Sequence, residues 1–566
     1  MATEGEDDNE MASVMQGRDR WDLLVMLGLT VAIWVALWAP QTRSLYPFTY
    51  DEQVYLLKVR MYDGWMRAGF AHAVAGDPGW FFSREVVGEA EALEDMHPGF
   101  AKFVALLPHW LVLGALGREG GARLAGGLFL AVGACALYWF LRPRIGRGYA
   151  FFAAAGLASM PRVFGHAHIL AMDIPIMTMY LLASLAFYRA ASTDRWGPSL
   201  LSGVLVGCAL ATKLNAVALI PHLGIWLALK RPPGAKKALV GAAVVAPLLL
   251  VALWPWLWHD LAGQLADYWR FHSEHFAVGV SYLGSVYGGG TTAPGSYAPV
   301  MLALGTPVVW VVLATGGIVA VLLRRLPAPA GYLALGLAAN VCLLMVPGAA
   351  RYGGIRLLLP AVPFMVALGA MAARAVAIRS AGVQATVQAR WLLAAALVLL
   401  GPGIIGCVRY YPYCLSYYSE VVGLRGAAAL GMDVTYWGDA YGGAREFMAL
   451  PANADAKFYT ANEWSTACLD ALVIAGEIPP QHRMLGHFVR DAIPGDADWI
   501  LVDNHPPMWP PAVAELVSSE EPHVTVSRCG VPLLWIFPGP GRDEEVTMAA
   551  DDGAAVRRRE DRPGRG

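Results

Sequence analysis

Residues 98–117 read PGFAKFVALLPHWLVLGALG, and whether this run crosses a bilayer decides the side on which every later loop of the chain lies. A hydrocarbon core of about 30 Å asks for about 20 apolar residues per helix, so the run is long enough. It also contains Lys102, Pro108 and His109, which suit a re-entrant or surface-lying segment better than a lipid-facing span. The loops settle the choice. Apolar runs lie near 23–39, 121–141, 149–161, 174–190, 198–212, 215–229, 237–256, 298–323, 329–347, 356–376 and 390–407. If 98–117 does not cross and the N-terminus is cytoplasmic, the clusters RPRIGRG (142–148), RAASTDR (189–195), KRPPGAKK (230–237), Arg324-Arg325 and Arg374 through Arg390 all face the cytoplasm. If it crosses, all of them face outward, against the tendency of Lys and Arg to remain inside.

The composition agrees with a membrane chain. Of 566 residues, 57% are hydrophobic and 15% charged, and the mean hydropathy is +0.46, which excludes an ordinary soluble enzyme. The formal net charge of −2 carries little information beside the loop distribution. The apolar runs are too long for barrel strands, and a spanning chain must satisfy its backbone internally, so helices are expected. The start, MATEGEDDNE, is acidic where a secretory signal is basic, so the first apolar run is read as an uncleaved span.

The expected fold is therefore an all-α polytopic membrane protein of about 11 transmembrane helices with a small C-terminal extracytoplasmic α/β domain. Residues 1–22 form a cytoplasmic tail, 23–408 the transmembrane domain, 409–540 the outer domain and 541–566 a disordered charged tail. The outer domain is read from strand-like runs AKFYTA (456–461), DWILVDN (498–504), HVTVS (523–527) and PLLWIF (532–537), separated by Pro, Gly and Asp. Four of the seven cysteines fall in apolar runs, leaving Cys414, Cys468 and Cys529 in this region, an odd number that defines no disulfide framework. Gly203 and Gly207 make a close-packing stripe, internal or intermolecular.

With this topology the outer surface collects most of the chemistry-bearing side chains. Asp51 and Glu52 follow the first span in YDEQVY. The same long loop carries His97 and Lys102, the next Arg162, His166, His168 and Asp173, the third His272, Glu274 and His275, and the fourth Arg351, Tyr352 and Arg356. Lys213 and Asn215 sit at an outward helix end. Such a mixture suits transfer of a sugar from a lipid-linked phosphate to a hydroxyl. The acceptor needs a carboxylate base within hydrogen-bond reach; the leaving phosphate is already acidic and needs positive charge and donors.

Each residue has a plainer reading. Asp51 can cap a helix, and Asp173, two residues before Pro175, has the form of a helix start. Lys102 and Arg356 can snorkel to headgroups. Glu52, adjacent to Asp51, points to a different helix face. His166/His168 and His272/His275 each form at most half a metal site, because ligation needs three or four ligands. No cofactor is implied, and a divalent metal finds no complete ligand set.

The ordered series YDEQVYL, HPGFAK, PRVFGHAHILAMDIP, ATKLNA, WPWLWHD with FHSEH, and RLLLPAVPF resembles the polyprenol-phosphate-sugar-dependent transferases of the GT-C fold. Within them it is similar to the bacterial branch of the dolichyl-phosphate-mannose protein mannosyltransferase family, which includes the lipid A aminoarabinose transferase. The resemblance runs from about residue 20 to 440. It implies Asp51 as the catalytic acidic residue with Glu52 beside it. His97, Pro98 and Lys102 match the family's HPP-x-x-K signature, with Gly99 where a second Pro is common. Asp173 is implied near the donor site and Arg356 at the lipid phosphate; Arg162, His166, His168, His272 and His275 are candidate substrate contacts on the same face. The function expected is inverting transfer from a polyprenyl-phosphate-linked donor to a hydroxyl acceptor, whether protein, lipid A or glycan, at the outer face of the cytoplasmic membrane. Nucleic acid is not an expected partner. The competing readings are a secondary transporter, for which paired repeats with broken helices are expected and none is visible, and an inactive relative serving as an envelope assembly subunit.

Overall fold

The computed structural model describes residues 20–37, 47–93, 96–111, 120–274, 278–288, 290–382, 384, 388–461, 463–474, 478 and 492–542. It divides into two compact units, one comprising residues up to Tyr46 and Asp51–Tyr436, the other Pro47–Tyr50 with Trp437 onward.

The first unit is helical. Among the described residues seven helices are long and apolar enough to cross a membrane: Arg20–Leu37, Gly120–Ala158, Asp173–Thr193, Ala235–Ala252, Ala328–Met345, Arg356–Ser380 and Arg390–Tyr410. The second of these is two arms joined at Gly146, whose φ of 78° and ψ of 162° break the helical path. Three shorter apolar helices, Trp196–Leu210, Leu214–Lys230 and Val308–Leu322, complete the eleven segments expected from hydropathy. The run 298–323 is not one helix. It is Tyr297–Leu304 followed by Val308–Leu322, because Pro307 occupies the break and has no N–H to continue the ladder.

Residues 98–117 are described as far as Leu111, and a buried ion pair joins the segments on either side of the run. Within that run a helix is described over Phe100–Leu111. Arg123 Nε donates to Glu52 Oε1 at 2.7 Å, with side-chain exposures of 3% and 0%. The starts of the helices Glu52–Val74 and Gly120–Ala158 thus meet at one buried point. At the opposite end of the first Gly120–Ala158 arm, buried Asp22 accepts from Tyr138 Oη (2.6 Å), from Arg147 Nε (2.7 Å) and from Arg142. Lys237 meets Asp194 at 3.2 Å, joining two more of the basic turns. Neighbouring helices approach closely where side chains are small. A Cβ at Gly203 would strike the Gly241 carbonyl, and one at Gly207 would strike Leu249 and Ala246, so that glycine stripe packs inside the unit. Trp310 fills the space over Gly156 and Gly369 in the same way.

A two-stranded hairpin, β1 (Val280–Tyr282) and β2 (Ser285–Tyr287), lies between the helices Leu261–Ser273 and Tyr297–Leu304. Asp433 caps it by accepting from Ser281 N–H at 2.9 Å. Residues 409–436, assigned to the tail domain from sequence, cluster with the helical unit, because Tyr417, Tyr418 and Tyr436 gather round Arg162 there.

The second unit is a four-stranded sheet, β3 (Phe458–Thr460), β4 (Trp499–Asp503), β5 (Val524–Arg528) and β6 (Val531–Pro538), in the order β3-β4-β6-β5. All four strands fall on runs legible in the sequence. β3 and β4 are parallel and joined through the Glu463–Ile474 helix; β4, β6 and β5 are antiparallel. Tyr459, Ile500, Val502, Val513 and Phe537 form its core. Pro47–Tyr50 belongs to this unit: Tyr50 N–H donates to Trp437 O at 3.0 Å, and its hydroxyl donates to Asp503 at 2.9 Å. Tyr441 Oη donates to the other Asp503 oxygen at 3.1 Å. All seven cysteines are free thiols.

Burial pushes the Asp503 carboxyl up to about 6, against the opposing hydrogen bonds from Tyr50 and Tyr441. A carboxyl raised in the folded state binds its proton there more readily than in the unfolded chain. The stability this contributes is complete below the unfolded value of 3.8 and is lost as pH rises through about 6. Asp503→Asn is therefore expected to gain thermal stability relative to the parent as pH goes from 4.5 to 7.5. Melting curves of the full chain at the two pH values check this; a pH-independent difference would contradict it.

Candidate active site

Asp51 precedes the helix Glu52–Val74 as its N-cap, with φ of −77° and ψ of −18°, yet its side chain makes no capping hydrogen bond. Its Oδ2 instead accepts from Arg356 Nη2 at 2.6 Å, and the carboxylate is 33% exposed. Arg356 opens a 3-10 turn, Arg356–Ala361, and is itself 7% exposed. Its Nε lies 3.2 Å from Asp173 Oδ2. Asp173, 1% exposed, begins the helix Asp173–Thr193, where the positive end of the helix dipole favours a carboxylate. Its Oδ1 accepts from Lys213 Nζ at 2.7 Å. Asn215 Nδ2 donates to Leu357 O at 3.0 Å and joins the Lys213 turn to the Arg356 turn. The result is a chain of alternating charge, Asp51, Arg356, Asp173, Lys213, in which only the first carboxylate is substantially exposed.

Further cations surround it. Lys102 is fully buried and donates to the His97 carbonyl at 2.6 Å. The His97 ring lies 5.9 Å from the Tyr55 ring, centroid to centroid. Burial first, then the charges of Lys213, Lys102, Arg356 and His272, hold the His97 imidazole well below its ordinary value. Burial also lowers the Lys213 ammonium, with Asp173 opposing and Arg356 adding to the effect. Buried cations of this kind favour an anion that brings its own hydrogen-bond acceptors.

His166 Nδ1 lies 3.9 Å from Asp173 Oδ2, and its Nε2 is 3.4 Å from Tyr436 Oη. Burial lowers it to about 3, with Asp173 opposing, so it is neutral at pH 7 and presents a hydrogen-bonding imidazole. His168 turns elsewhere. Its Nδ1 meets Phe164 O at 2.8 Å, one turn back, and burial lowers it to about 3. Arg162 is 1% exposed. Its Nε donates to Tyr417 O at 2.8 Å, and its guanidinium carbon stands 4.9 Å and 5.5 Å from the centroids of Tyr418 and Tyr436, cation–π distances. Arg162 thus reaches the site through Tyr436 and His166. Arg351 donates to the carbonyls of Leu344, Ala293 and Val346 and shapes its own loop. His275 lies outside the described residues. His272 is on the last turn of Leu261–Ser273.

Glu52 faces away from this chain of charges. Besides Arg123 it accepts from the Leu170 backbone N–H at 2.8 Å, joining three segments at one buried point. Arg123 carried no signal in the sequence, being one cation at the edge of an apolar run. Lys213 had one, as the polar end of a span, but only Asp173 beside it reveals its place. Among the described residues no group of three or more His, Cys, Asp or Glu side chains is arranged to hold a metal ion.

Comparison with known proteins adds the following. A model of the dolichyl-phosphate-mannose-protein mannosyltransferase family matches residues 104–259, well under half of the chain; the match includes Arg162, His166, Asp173 and Lys213 but not Asp51, Lys102 or Arg356. No curated protein matches the sequence significantly. Among solved structures, ArnT from Cupriavidus metallidurans bound to undecaprenyl phosphate is 15% identical, with 90% of this chain and 97% of that chain covered and a TM-score of 0.47. The same protein in the apo state is 14% identical, with coverage of 93% and 99% and a TM-score of 0.48. The Archaeoglobus fulgidus oligosaccharyltransferase tethered with an acceptor peptide is 11% identical, with coverage of 72% and 61% and a TM-score of 0.41. These are distant likenesses, below the score at which a common fold follows.

The loop Arg351–Arg356 carries the tightest local constraint. Gly353 and Gly354 both have left-handed backbones, φ 65° and 61°. A Cβ at 354 would collide with the Arg162 guanidinium and the Tyr436 ring, whereas one at 353 would make ordinary contact with Arg356 at 3.4 Å. Both alanine variants incur the left-handed penalty of about 1–2 kcal/mol, and only Gly354→Ala also displaces the Arg162 cage. Gly354→Ala is expected to lower the melting temperature clearly more than Gly353→Ala; equal losses would show that the cage is not close-packed.

Proposed function

We propose that this chain is a membrane glycosyltransferase that moves a sugar from a polyprenyl-phosphate donor to a hydroxyl acceptor at the outer face of the cytoplasmic membrane. The observation that carries the reading is the chain Asp51–Arg356–Asp173–Lys213: a part-exposed carboxylate set directly against buried cations. A hydroxyl nucleophile needs a base, and a phosphate leaving group needs cations. Here the two requirements are met within the length of one guanidinium. The family match over residues 104–259 and the ordered motifs on both sides of it support the same reaction.

In this reading Asp51 takes the proton of the acceptor hydroxyl as the oxygen attacks the anomeric carbon. The bond from that carbon to the phosphate oxygen breaks, the electron pair leaves with the polyprenyl phosphate, and the new glycosidic bond has inverted configuration. Arg356, Lys102 and Lys213 balance the charge that develops on the leaving phosphate. Asp173 fixes Arg356 and Lys213, and neutral His166 stands as a hydrogen-bonding contact beside Asp173. Glu52 holds the backbone at Leu170 through its pair with Arg123 and keeps the segment carrying Asp51 against the rest of the site. The lipid tail of the donor remains among the helices, which accounts for a site built at helix ends. The Lys and Arg distribution supports an outer orientation of that end. The acceptor class is protein, lipid or glycan; a base open to solvent on one side accommodates each.

Asp51→Asn removes the base and retains the shape. A positioned base typically contributes about 10²–10⁴-fold, so sugar transfer by the variant should fall by that factor. Undecaprenyl phosphate should still bind, at least as tightly as to the parent, and the melting temperature should stay near that of the parent. Transfer measured with purified protein and a radiolabelled lipid-linked sugar tests this; activity within a few-fold of the parent would remove Asp51 from the mechanism.

A further inference from the structure

Arg356 serves two carboxylates with two different nitrogens. Nη2 is 2.6 Å from Asp51 Oδ2, and Nε is 3.2 Å from Asp173 Oδ2. The two partners are held very differently. Asp173 is 1% exposed and fixed on its other oxygen by Lys213 at 2.7 Å. Asp51 is 33% exposed and has no capping hydrogen bond to the helix it precedes. An anion entering the site therefore meets the Asp51 side of the guanidinium and can take Nη2 while Nε stays with Asp173. Of the two carboxylates, Asp51 is the one able to yield.

We propose that Arg356 is a gate on the catalytic base: without donor it holds Asp51, and the phosphate anion of the lipid donor takes its place, releasing the carboxylate for the acceptor hydroxyl. This rests on the reaction proposed above and adds an order to it. A carboxylate whose oxygen is engaged by a guanidinium is a poor acceptor for a further proton. A phosphate offers more acceptor oxygens and matches the planar guanidinium in bidentate fashion, so the exchange runs toward phosphate. Asp173 and Lys213 supply the fixed end. The contact of Nε with Asp173 Oδ2 at 3.2 Å is charge pairing without hydrogen-bond geometry, and that buried counter-charge holds the guanidinium beside Asp173 when Nη2 changes partner.

The proton balance closes without another group. During transfer Asp51 gains the acceptor proton and the polyprenyl phosphate departs with the electron pair of the broken bond. While that phosphate remains, Arg356 is occupied. Once it leaves, the proton passes from Asp51 to solvent and the guanidinium recaptures the carboxylate. The base is thus reset by product release. No acceptor is activated in a site that lacks a donor.

Carbodiimide coupling of an amine nucleophile to Asp51, read by peptide mass spectrometry, reports the release without any need for turnover. It is measured on the full chain in nanodiscs with undecaprenyl phosphate, undecaprenol or inorganic phosphate at equal concentration. Binding is followed separately by the shift in melting temperature. Undecaprenyl phosphate is expected to raise coupling at Asp51 about fivefold, which corresponds to about 1 kcal/mol, the scale of a partly exposed ion pair. Undecaprenol and inorganic phosphate are expected to leave it unchanged. Arg356→Lys has one ammonium in place of two separated nitrogens and cannot span both carboxylates, so its coupling should be high without ligand and respond little. If undecaprenyl phosphate binds and coupling stays level or falls, or if the Lys variant behaves as the parent, the gate is wrong and the transferase reading stands. If undecaprenyl phosphate does not bind, the transferase reading fails and the gate with it. An equal response to inorganic phosphate would overturn the lipid donor as the trigger.

Discussion

The ion pair between Glu52 and Arg123 is the constraint on which the arrangement of this molecule turns. Neither side chain reaches solvent, and burying two charges is costly unless each finds its partner and its remaining hydrogen bonds. Glu52 meets the condition through two nitrogens of Arg123 and the backbone of Leu170. The pair draws together the start of the Glu52–Val74 helix, the start of Gly120–Ala158 and the loop before Asp173. The helix ends carrying Asp173, Lys213 and Arg356 come together with the one that carries Asp51.

A second consequence is electrostatic. Asp51, Arg356, Asp173 and Lys213 alternate in sign, so each buried charge is matched by a neighbour within 3.2 Å. In surroundings of low dielectric such matching holds side chains in place more firmly than in water. The neighbouring Lys102 gives the cluster its positive bias, and His97 and His166 stay neutral among these charges because burial disfavours their protonation. The site therefore combines rigidity with readiness for an anion. Its open flank is at Asp51.

Much of this was legible in the sequence, and the rest was hidden for identifiable reasons. The apolar helical segments follow from hydropathy. The strands of the second unit follow from short β-rich runs between turns. The break at Pro307 was submerged in a run apolar on both sides. Asp51, Asp173 and Arg356, singled out in the sequence by their family resemblance and their positions at helix ends, stand together in the structure. Glu52 was read beside Asp51 as part of the chemistry, yet it faces Arg123, since consecutive residues at a helix start diverge by about 100°. Arg123 itself belongs to no motif. Its importance lies wholly in a contact across 71 positions of sequence, as does the membership of Pro47–Tyr50 in the second unit, 387 positions before Trp437 at Tyr50. Long-range pairings of single residues leave no periodic trace.

The claim that the buried pair organises the fold is open to a thermodynamic cycle on Glu52→Gln, Arg123→Met and the double variant, using reversible unfolding of the detergent-solubilised chain. Breaking a buried pair from one side leaves the other charge uncompensated at a cost of about 3–5 kcal/mol, whereas removing both charges leaves nothing unpaired. Each single variant should therefore be strongly destabilised and the double variant clearly less so than the sum. Additive losses, agreeing within about 0.5 kcal/mol, would contradict the account.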